Sequence, residues 1–490
     1  MSVDQIEDVE VLRRMVKLHY QENQRIKAQL SDALAKLHDK NSTEAEQLAL
    51  KLDEIEKKYA ATLKKIFGQT TERRPETGES KGREKPQRGH GRKQQPELPI
   101  EEVVHELDAD EARCPVCQGD LEAWQDNFEE SLEVDFIEPR VVFKKHLRQK
   151  YRCTCGACIK TAPGPKKLFP KARYSIDFAI NVALKKYCYH LPLDRQRREL
   201  KRLGLDATTA TLWDYLSVLY GLLEPAYQRL SEHVLSQPVI GADETSWRLL
   251  KSEKKGKSKT WWVWARRCDD AVHYTLNPSR GSKVAAELFD GYEGTVICDG
   301  YVAYESLLNS NPNVKLANCW SHARRELLLH EGDPMADRAI RVIRRLYRLE
   351  AIADDKPPDE LLKWRQRKTK PLLDAFFKWI AEQKIAPSNS LRNAMRYIQV
   401  REKTLKRFLD DPNIDPDNNA TERALRGVVV GRKNHYGSRS ERGTQVAALF
   451  YSLLESAQLA GVNPHAYLRE AVMAALDQRE IPLPHEIANT

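Results

Sequence analysis

Apolar residues along this chain change period several times, and each change marks an element. From about residue 9 to 67 they recur at heptad-like spacing, with Leu12, Val16, Ile26, Leu30, Ala33 and Leu37 in one register. Leu48, Leu52, Ile55, Tyr59 and Ile66 form a second register after a break near Asn41. This pattern predicts a coiled coil, with His19 and Asn23 on its seam defining register and partner number; a helical hairpin within one chain is the other reading. Residues 68–99 have no period and almost no large apolar groups, so they cannot bury enough surface to fold. Alternating runs at 131–138 and 140–152 predict two strands with a basic surface. From 171 to 236 the period is helical. Within it, a helix from Asp194, a turn at Gly204 and a second helix from Ala207 read either as a helix-turn-helix presenting Thr208, Thr209 and Thr211 or as an ordinary helical hairpin.

The central block alternates strands and helices. Strands are expected at 239–243, 261–266, 272–276, 295–299 and 314–319, with helices at 283–289, after Tyr301 and through His322. Three neighbouring strands followed by strand–helix alternation give a mixed sheet covered by helices, the ribonuclease-H-like plan. Trp261, Trp262 and Trp264 alternate along a strand and read as packing groups, with base stacking as the other reading. Residues 331–410 form a helical, Arg- and Lys-rich insertion. After it, Asp415-Pro-Asp-Asn-Asn-Ala-Thr-Glu422-Arg-Ala-Leu-Arg426 predicts a helix capped by Asn418 or Asn419. Asn419, Glu422 and Arg426 would share its exposed face, where Glu422 and Arg426 could pair, while Ala424, Leu425 and Val428 turn inward. A basic, glycine-rich turn at 431–443 and an amphipathic helix at 446–459 packed on the sheet complete the pattern, before a helical and then Pro-rich tail.

At 490 residues the chain is too long for one core. The expected fold class is therefore multidomain: a coiled coil (1–67), a basic linker (68–99), a zinc-binding domain (100–170), a helical, helix-turn-helix-like segment (171–236), an α/β ribonuclease-H-like core (237–330), a helical insertion (331–410) and a segment carrying the Glu422 helix (411–490). An apolar fraction of 41% supports real cores, and no apolar run reaches membrane-spanning length. The polar start reads as no signal peptide, so a cytoplasmic location is expected. The net charge of +9 is modest, but its basic residues are clustered, which points to a polyanionic partner. Arg88, Arg92 and Lys93, among glycines, read as a minor-groove arm or as a solvated linker. Five of the nine cysteines lie between 114 and 158. Cys114 and Cys117 form one knuckle, and Cys153, Cys155 and Cys158 a second whose fourth zinc ligand stays open, because Cys155 could pair with either neighbour.

The sharpest chemical signal is three carboxylates. Asp243 and Asp299 each sit at the end of an apolar strand, and Glu422 comes from a helix. Such a set suits two Mg²⁺ (or Mn²⁺) ions, hard cations that bind carboxylates and together hold both oxygens of a phosphodiester displacement. Arg423, Arg426, Arg432 and Lys433 are placed to hold phosphates. His322, Arg324 and Arg325 follow the strand beside Asp299 and could steady a scissile phosphate, although His322 also reads as a structural histidine. Glu244, next to Asp243, points to the opposite side of its strand.

Along almost the whole chain, in order, run Cys-Pro-Val-Cys, Tyr-Arg-Cys-Thr-Cys, Leu-Pro-Leu-Asp-Arg-Gln, Ala-Asp-Glu-Thr, Cys-Asp-Gly-Tyr, Cys-Trp-Ser-His-Ala-Arg-Arg, and Asp-Asn-Asn-Ala-Thr-Glu-Arg-Ala-Leu-Arg with Gly-Arg-Lys-Asn. In these motifs the chain resembles transposases of the insertion sequence 66 family. The resemblance implies an N-terminal leucine-zipper-like segment, a zinc-binding domain and an Asp-Asp-Glu catalytic domain, with Asp243, Asp299 and Glu422 as catalytic residues and small accessory proteins as partners. A transposase binding double-stranded DNA at transposon ends and target, as a homo-oligomer through its coiled coil, is the expected function. The alternatives are a ribonuclease-H-like nuclease or resolvase, which cleaves without joining, and a zinc-dependent DNA-binding regulator with a degenerate site.

Overall fold

The computed structural model describes residues 140–152, 159–250, 259–383 and 390–488. The expected coiled coil, the linker with Arg88, Arg92 and Lys93, the zinc cysteines Cys114, Cys117, Cys153, Cys155 and Cys158, and the run expected as a strand at 131–138 lie outside the described residues. Of the alternating run at 140–152, only β1 (Lys150–Arg152) is a strand, paired antiparallel with β2 (Ile159–Thr161). Alternation supplies a face, but a strand also requires a ladder, and the described residues offer one to those three positions alone.

Helices α1 (Ile176–Tyr187), α2 (Leu193–Arg202) and α3 (Thr209–Leu235) follow. The helix, glycine turn and helix expected around Gly204 are present. Thr208 is the cap of α3: its hydroxyl accepts from the Thr211 N–H at 3.1 Å. The 27 residues of α3 bury Leu212, Leu216, Leu219, Leu223 and Leu230 in the main core.

The sheet consists of β3 (Val239–Leu249), β4 (Lys259–Arg267), β5 (Val272–Asn277), β6 (Gly294–Cys298) and β7 (Val314–Asn318), in the order β5-β4-β3-β6-β7. The first three are antiparallel; β3, β6 and β7 run parallel. This mixed sheet, flanked by helices, is the ribonuclease-H-like fold expected from the element order. β3 runs six residues past the expected end at Asp243, because its ladder with β4 continues to Leu249, while the buried positions change face from Ile240, Ala242 and Glu244 to Trp247 and Leu249. Helix α4 (Ser282–Leu288) joins β5 to β6, and the short α5 (Val302–Glu305) and α6 (Leu307–Ser310) join β6 to β7.

After β7, α7 (Trp320–Leu328) leads into the insertion: α8 (Pro334–Ile352), α9 (Pro358–Trp364), a π-helical turn at Arg365–Thr369, α10 (Lys370–Glu382), α11 (Leu391–Val400) and α12 (Glu402–Leu405). It has its own core of Ile340, Ile343, Leu346, Leu373, Phe376, Phe377 and Ile398, joined to the sheet through Ile297 and Ala317.

Helix α13 (Asn419–His435) lies along β3, and α14 (Glu441–Leu459) lies along β5. An exposed strand edge carries unpaired backbone groups, and this fold covers both of its own. On α14, Ser452 and Ser456 accept from the N–H groups of Tyr274 and Val272 at 2.8 and 3.0 Å, while Arg407 donates to the Leu316 carbonyl of β7 at 2.7 Å. The tail packs back as α15 (Pro464–Leu476) and α16 (Pro484–Ala488).

Two expectations around α13 need correction. The glycine-rich turn expected from 431 begins later, since the helix continues to His435 and reverses only at Tyr436 (φ 59°) and Gly437 (φ 103°). Gly431 is a packing glycine: a Cβ there would stand 1.9 Å from the Tyr451 hydroxyl. Nor does the side chain of either asparagine cap the helix, although Asn418 stands at its N-cap position. Asn418 turns its Nδ2 to the Ala242 carbonyl at 2.7 Å, and Asp417 accepts from the Asn419 N–H at 2.9 Å instead.

Gly241 sets how closely α13 approaches the sheet. A Cβ at that position would stand 2.0 Å from the Thr421 Oγ1 and 2.9 Å from the Asn418 Oδ1. Gly241→Ala is therefore expected to destabilise the protein by about 1–3 kcal/mol through overpacking, with part of the loss recovered in the double variant with Thr421→Ala. Urea denaturation of the four proteins tests this; an unchanged midpoint for Gly241→Ala would show that α13 is free to shift.

Candidate active site

Residues of a strand point alternately to its two faces. On β3 the odd-numbered face carries Gly241, Asp243, Thr245 and Trp247, and this is the face that α13 covers. Gly241 meets Thr421; Arg432 donates to the Thr245 and Ser246 hydroxyls at 3.1 and 2.9 Å and to the Ser246 carbonyl; Trp247 donates to the Ser438 hydroxyl at 3.1 Å. Asp243 and Glu422 thereby line one open cleft of about 430 Å³, together with Glu244, Thr245, His322, Arg325 and Arg426.

Asp299 enters from the neighbouring strand. The parallel register pairs Gly241 with Ile297, so two residues further on Asp243, within β3, and Asp299, just past the end of β6, stand level. The Asp299 carboxylate accepts from the Tyr301 N–H at 2.9 Å, and its backbone carbonyl accepts from Asn318 at 2.9 Å, which fixes the loop that carries it.

The two adjacent acids on β3 have opposite surroundings. Glu244, 8% exposed, faces away from α13 and accepts from the Tyr304 hydroxyl at 2.6 Å and from Arg280 at 2.7 Å. Arg280 is held in turn over the rings of Tyr301 and Trp262 at 3.9 and 4.9 Å. Burial still raises the Glu244 pKa against these partners. Asp243 accepts a hydrogen bond from the Glu244 N–H at 2.8 Å, and the charges acting on it are those of Glu244, Glu422 and Asp299, all acidic. Burial first, and then these like charges, push its carboxyl up to about 8.

Glu422 is paired, though not with Arg426 as the helix spacing suggested. Both its oxygens accept from Arg325 at 3.2 Å, and the His322 Nδ1 stands 3.6 Å away. Arg325 also bonds His322 at 3.3 Å. Burial and the Arg325 charge lower the His322 pKa, with Glu422 acting in the opposite sense. His322, Glu422 and the buried Cys319 bring donor atoms within 4.8 Å of one another. Among the described residues Asp243, Asp299 and Glu422 do not form such a group, and Asp299 is not among the residues that line the cleft.

Of the other expected residues, Arg426 lines the cleft, Arg423 and Lys433 are exposed on α13, and Arg324 is half-buried on α7. Arg432 is committed to β3. Thr209 and Thr211 are half-buried beside the cap of α3. Sequence reasoning missed the Arg325–Glu422 pair and the Arg280–Tyr304 clamp on Glu244, since both join segments far apart in the chain. It also missed Cys319, whose Sγ accepts from the Asn418 N–H at 3.2 Å at the root of α13.

A raised carboxyl makes stability depend on pH with a definite sign. The ordinary Asp value is 3.8, and the folded value for Asp243 is about 8. Between these, the folded state holds a proton that the unfolded state has released, so stability is greatest at low pH and falls as pH rises toward 8. Asp243→Asn removes this contribution. In chelator-containing buffer the variant's Tm is expected to exceed that of the wild type near pH 8 and to converge on it near pH 5. A gap that is equal at both pH values would show that charge burial at Asp243 is not the cause.

Among the described residues no helix is long and apolar enough to cross a membrane. The chain is similar to three proteins of Sinorhizobium fredii (strain NBRC 101917 / NGR234), each named only as an uncharacterized protein. With y4jD it is 27% identical over 396 residues, covering 76% of each chain; with y4hP, 26% over 484 residues, covering 92% of this chain and 84% of the relative; with y4qI, 28% over 396 residues, covering 76% and 72%. The profile of the Transposase IS66 family matches residues 171–446, more than half of the sequence, from the helices before the sheet to the start of α14. A general transposase-type, metal-using enzymatic activity follows from that match, and the chain belongs to the Transposase IS66 family.

Proposed function

We propose that this chain is a DNA transposase that binds transposon ends and cuts and joins DNA strands at Asp243, Asp299 and Glu422. The observation that carries the reading is the half-buried Asp243 carboxylate, which lines one cleft with Glu422 and on which the acting charges, those of Glu244, Glu422 and Asp299, are all acidic. A structural carboxylate buried in this way is ordinarily given a cation, as Glu244 is given Arg280. The donor set is all-oxygen and negative, which fits a hard divalent cation.

Mg²⁺ or Mn²⁺, held by Asp243, Asp299 and Glu422 as a pair of ions, would supply charge stabilisation to both the attacking and the leaving oxygen of an in-line displacement. The chain's own residues have separate tasks. The β3–β6 register holds two carboxylates level, α13 brings the third, and Arg325 keeps Glu422 in the cleft when no metal neutralises it. Arg426, Arg423 and Lys433 offer charge to phosphates at the cleft and along the exposed face of α13, whereas Arg432 serves to fix the helix to the strand. In this reading the five cysteines between 114 and 158 hold a structural Zn²⁺. The coiled coil joins copies of the chain, and Arg88, Arg92, Lys93, Thr208, Thr209 and Thr211 contribute to DNA binding, with accessory proteins assisting.

Strand transfer tests the proposal. Purified protein is incubated with Mg²⁺, DNA carrying the flanking element's terminal repeats and a supercoiled target, with accessory proteins supplied. Joined products are expected from the wild type, falling by about a thousandfold or more in Glu422→Gln, a barrier increase of roughly 4 kcal/mol. Cleavage without joining would replace the transposase with a nuclease or resolvase. DNA bound but unaltered by both proteins would leave a zinc-dependent DNA-binding regulator.

A further inference from the structure

Helix α8 carries five arginines and no lysine: Arg338, Arg341, Arg344, Arg345 and Arg348. At 100° per residue they fall within an arc of roughly 120°, opposite the buried stripe of Ala336, Ala339, Ile340, Ile343 and Leu346. All five are exposed. Arg338 lies over the Trp379 ring at 4.6 Å; for the other four, no carboxylate among the described residues stands at ion-pair distance.

Such an arrangement works against the helix that bears it. Arg341 and Arg345, and likewise Arg344 and Arg348, are four apart, where like charges repel. The helix's own acids are engaged elsewhere: Asp333 caps its first turn, Asp337 accepts from the Gly332 N–H at 3.1 Å, and Glu350 binds Arg365 at 2.9 Å. Tyr347 faces Asp417 and Cys319 at the root of α13, and Arg344, three residues earlier, lies roughly 60° around the helix from it.

We infer that the arginine stripe of α8 is a docking surface for the phosphate backbone of duplex DNA, read without regard to base sequence. From Arg338 to Arg348 it extends about 15 Å, the length of about four base-pair steps. The choice of arginine throughout matches a partner recognised through paired oxygens, which the guanidinium fork binds and the ammonium of lysine does not. The inference rests on the reading of this chain as an enzyme acting on DNA, and it adds a surface on the insertion to that reading.

The test is the salt dependence of binding by the full chain to a fluorescent duplex that lacks any element end. Arg341→Gln/Arg345→Gln/Arg348→Gln is compared with a control of equal charge loss, Lys283→Gln/Lys315→Gln/Lys403→Gln, and with the arginines changed to lysine. In the stripe variant, affinity is expected to fall about tenfold or more at moderate salt, and the slope of log K against log salt to shrink by roughly 2–3. The control and the lysine variant should keep most of the slope, and the stripe variant's Tm should equal or exceed the wild type's as repulsion is relieved. A stripe variant that binds like the control, or one that loses affinity only together with Tm, overturns the inference and leaves the proposed activity standing. A wild type that binds no duplex overturns both.

Discussion

The seam between β3 and α13 is the constraint on which the site depends. It is fastened at three places: Asn418 and Thr421 on Gly241 and Ala242, Arg432 on Thr245 and Ser246, and Ser438 on Trp247 and the Arg248 carbonyl. Each fastening joins residues more than 150 positions apart, so the helix is located by tertiary contacts and not by the chain leading into it. A hydrogen bond from the Tyr274 hydroxyl to the Ala424 carbonyl at 2.7 Å adds a tie to β5. Because the seam spans the full length of α13, sliding Glu422 along the strand would break several buried contacts together. This is how a side chain on a helix can face a strand carboxylate with a fixed offset.

What the seam fixes is electrostatically unfavourable. Asp243 is held among Glu244, Asp299 and Glu422, and the fold supplies a cation to two of the four acids: Arg280 to Glu244 and Arg325 to Glu422. The two pairs differ in kind. Arg280 is sandwiched on aromatic rings and bound to a carboxylate that is almost wholly buried, so this pair is structural. Arg325 is half-exposed and meets a partly exposed Glu422, where an ion pair contributes little to stability and is readily exchanged. A site that must accept metal needs the second arrangement at its mouth and the first one behind it.

Much of this was legible in the sequence because it is local. Asp299 just past a strand follows from the apolar run before it, whereas the run before Asp243 marked the start of its strand and not its end at Leu249; the inward face of α13 follows from the spacing of Ala424, Leu425 and Val428, all buried here. The sheet follows from the order of its elements. Illegible were the contacts that the fold alone brings together: Arg325 with Glu422, Tyr304 with Glu244, Cys319 with Asn418. Asn418 looked like a cap because asparagine before a helix usually is one, yet its side chain donates to the Ala242 carbonyl of β3. Gly431 looked like a turn because glycine usually breaks helices, yet it marks where Tyr451 presses on the helix. In both cases tertiary packing overrode a local preference worth about 1 kcal/mol.

The insertion between Asp299 and Glu422 fits the same argument. A long unstructured segment there would add little closure entropy but would leave the approach of α13 undetermined. Instead the segment is folded and tied back to the sheet. Trp320 donates to the Leu405 carbonyl at 2.8 Å, Arg407 holds the edge of β7, and the buried Arg365 collects Glu350 with the carbonyls of Phe408 and Asp411 at 2.7–2.9 Å. The last of these ties lies just before the chain enters the root of α13, where the Pro416 carbonyl accepts from the Trp320 N–H at 3.0 Å. Trp320 begins α7, the helix that carries His322 and Arg325. The insertion therefore closes a loop of rigid contacts that starts and ends at the cleft, and it presents the arginine face of α8 on that same frame.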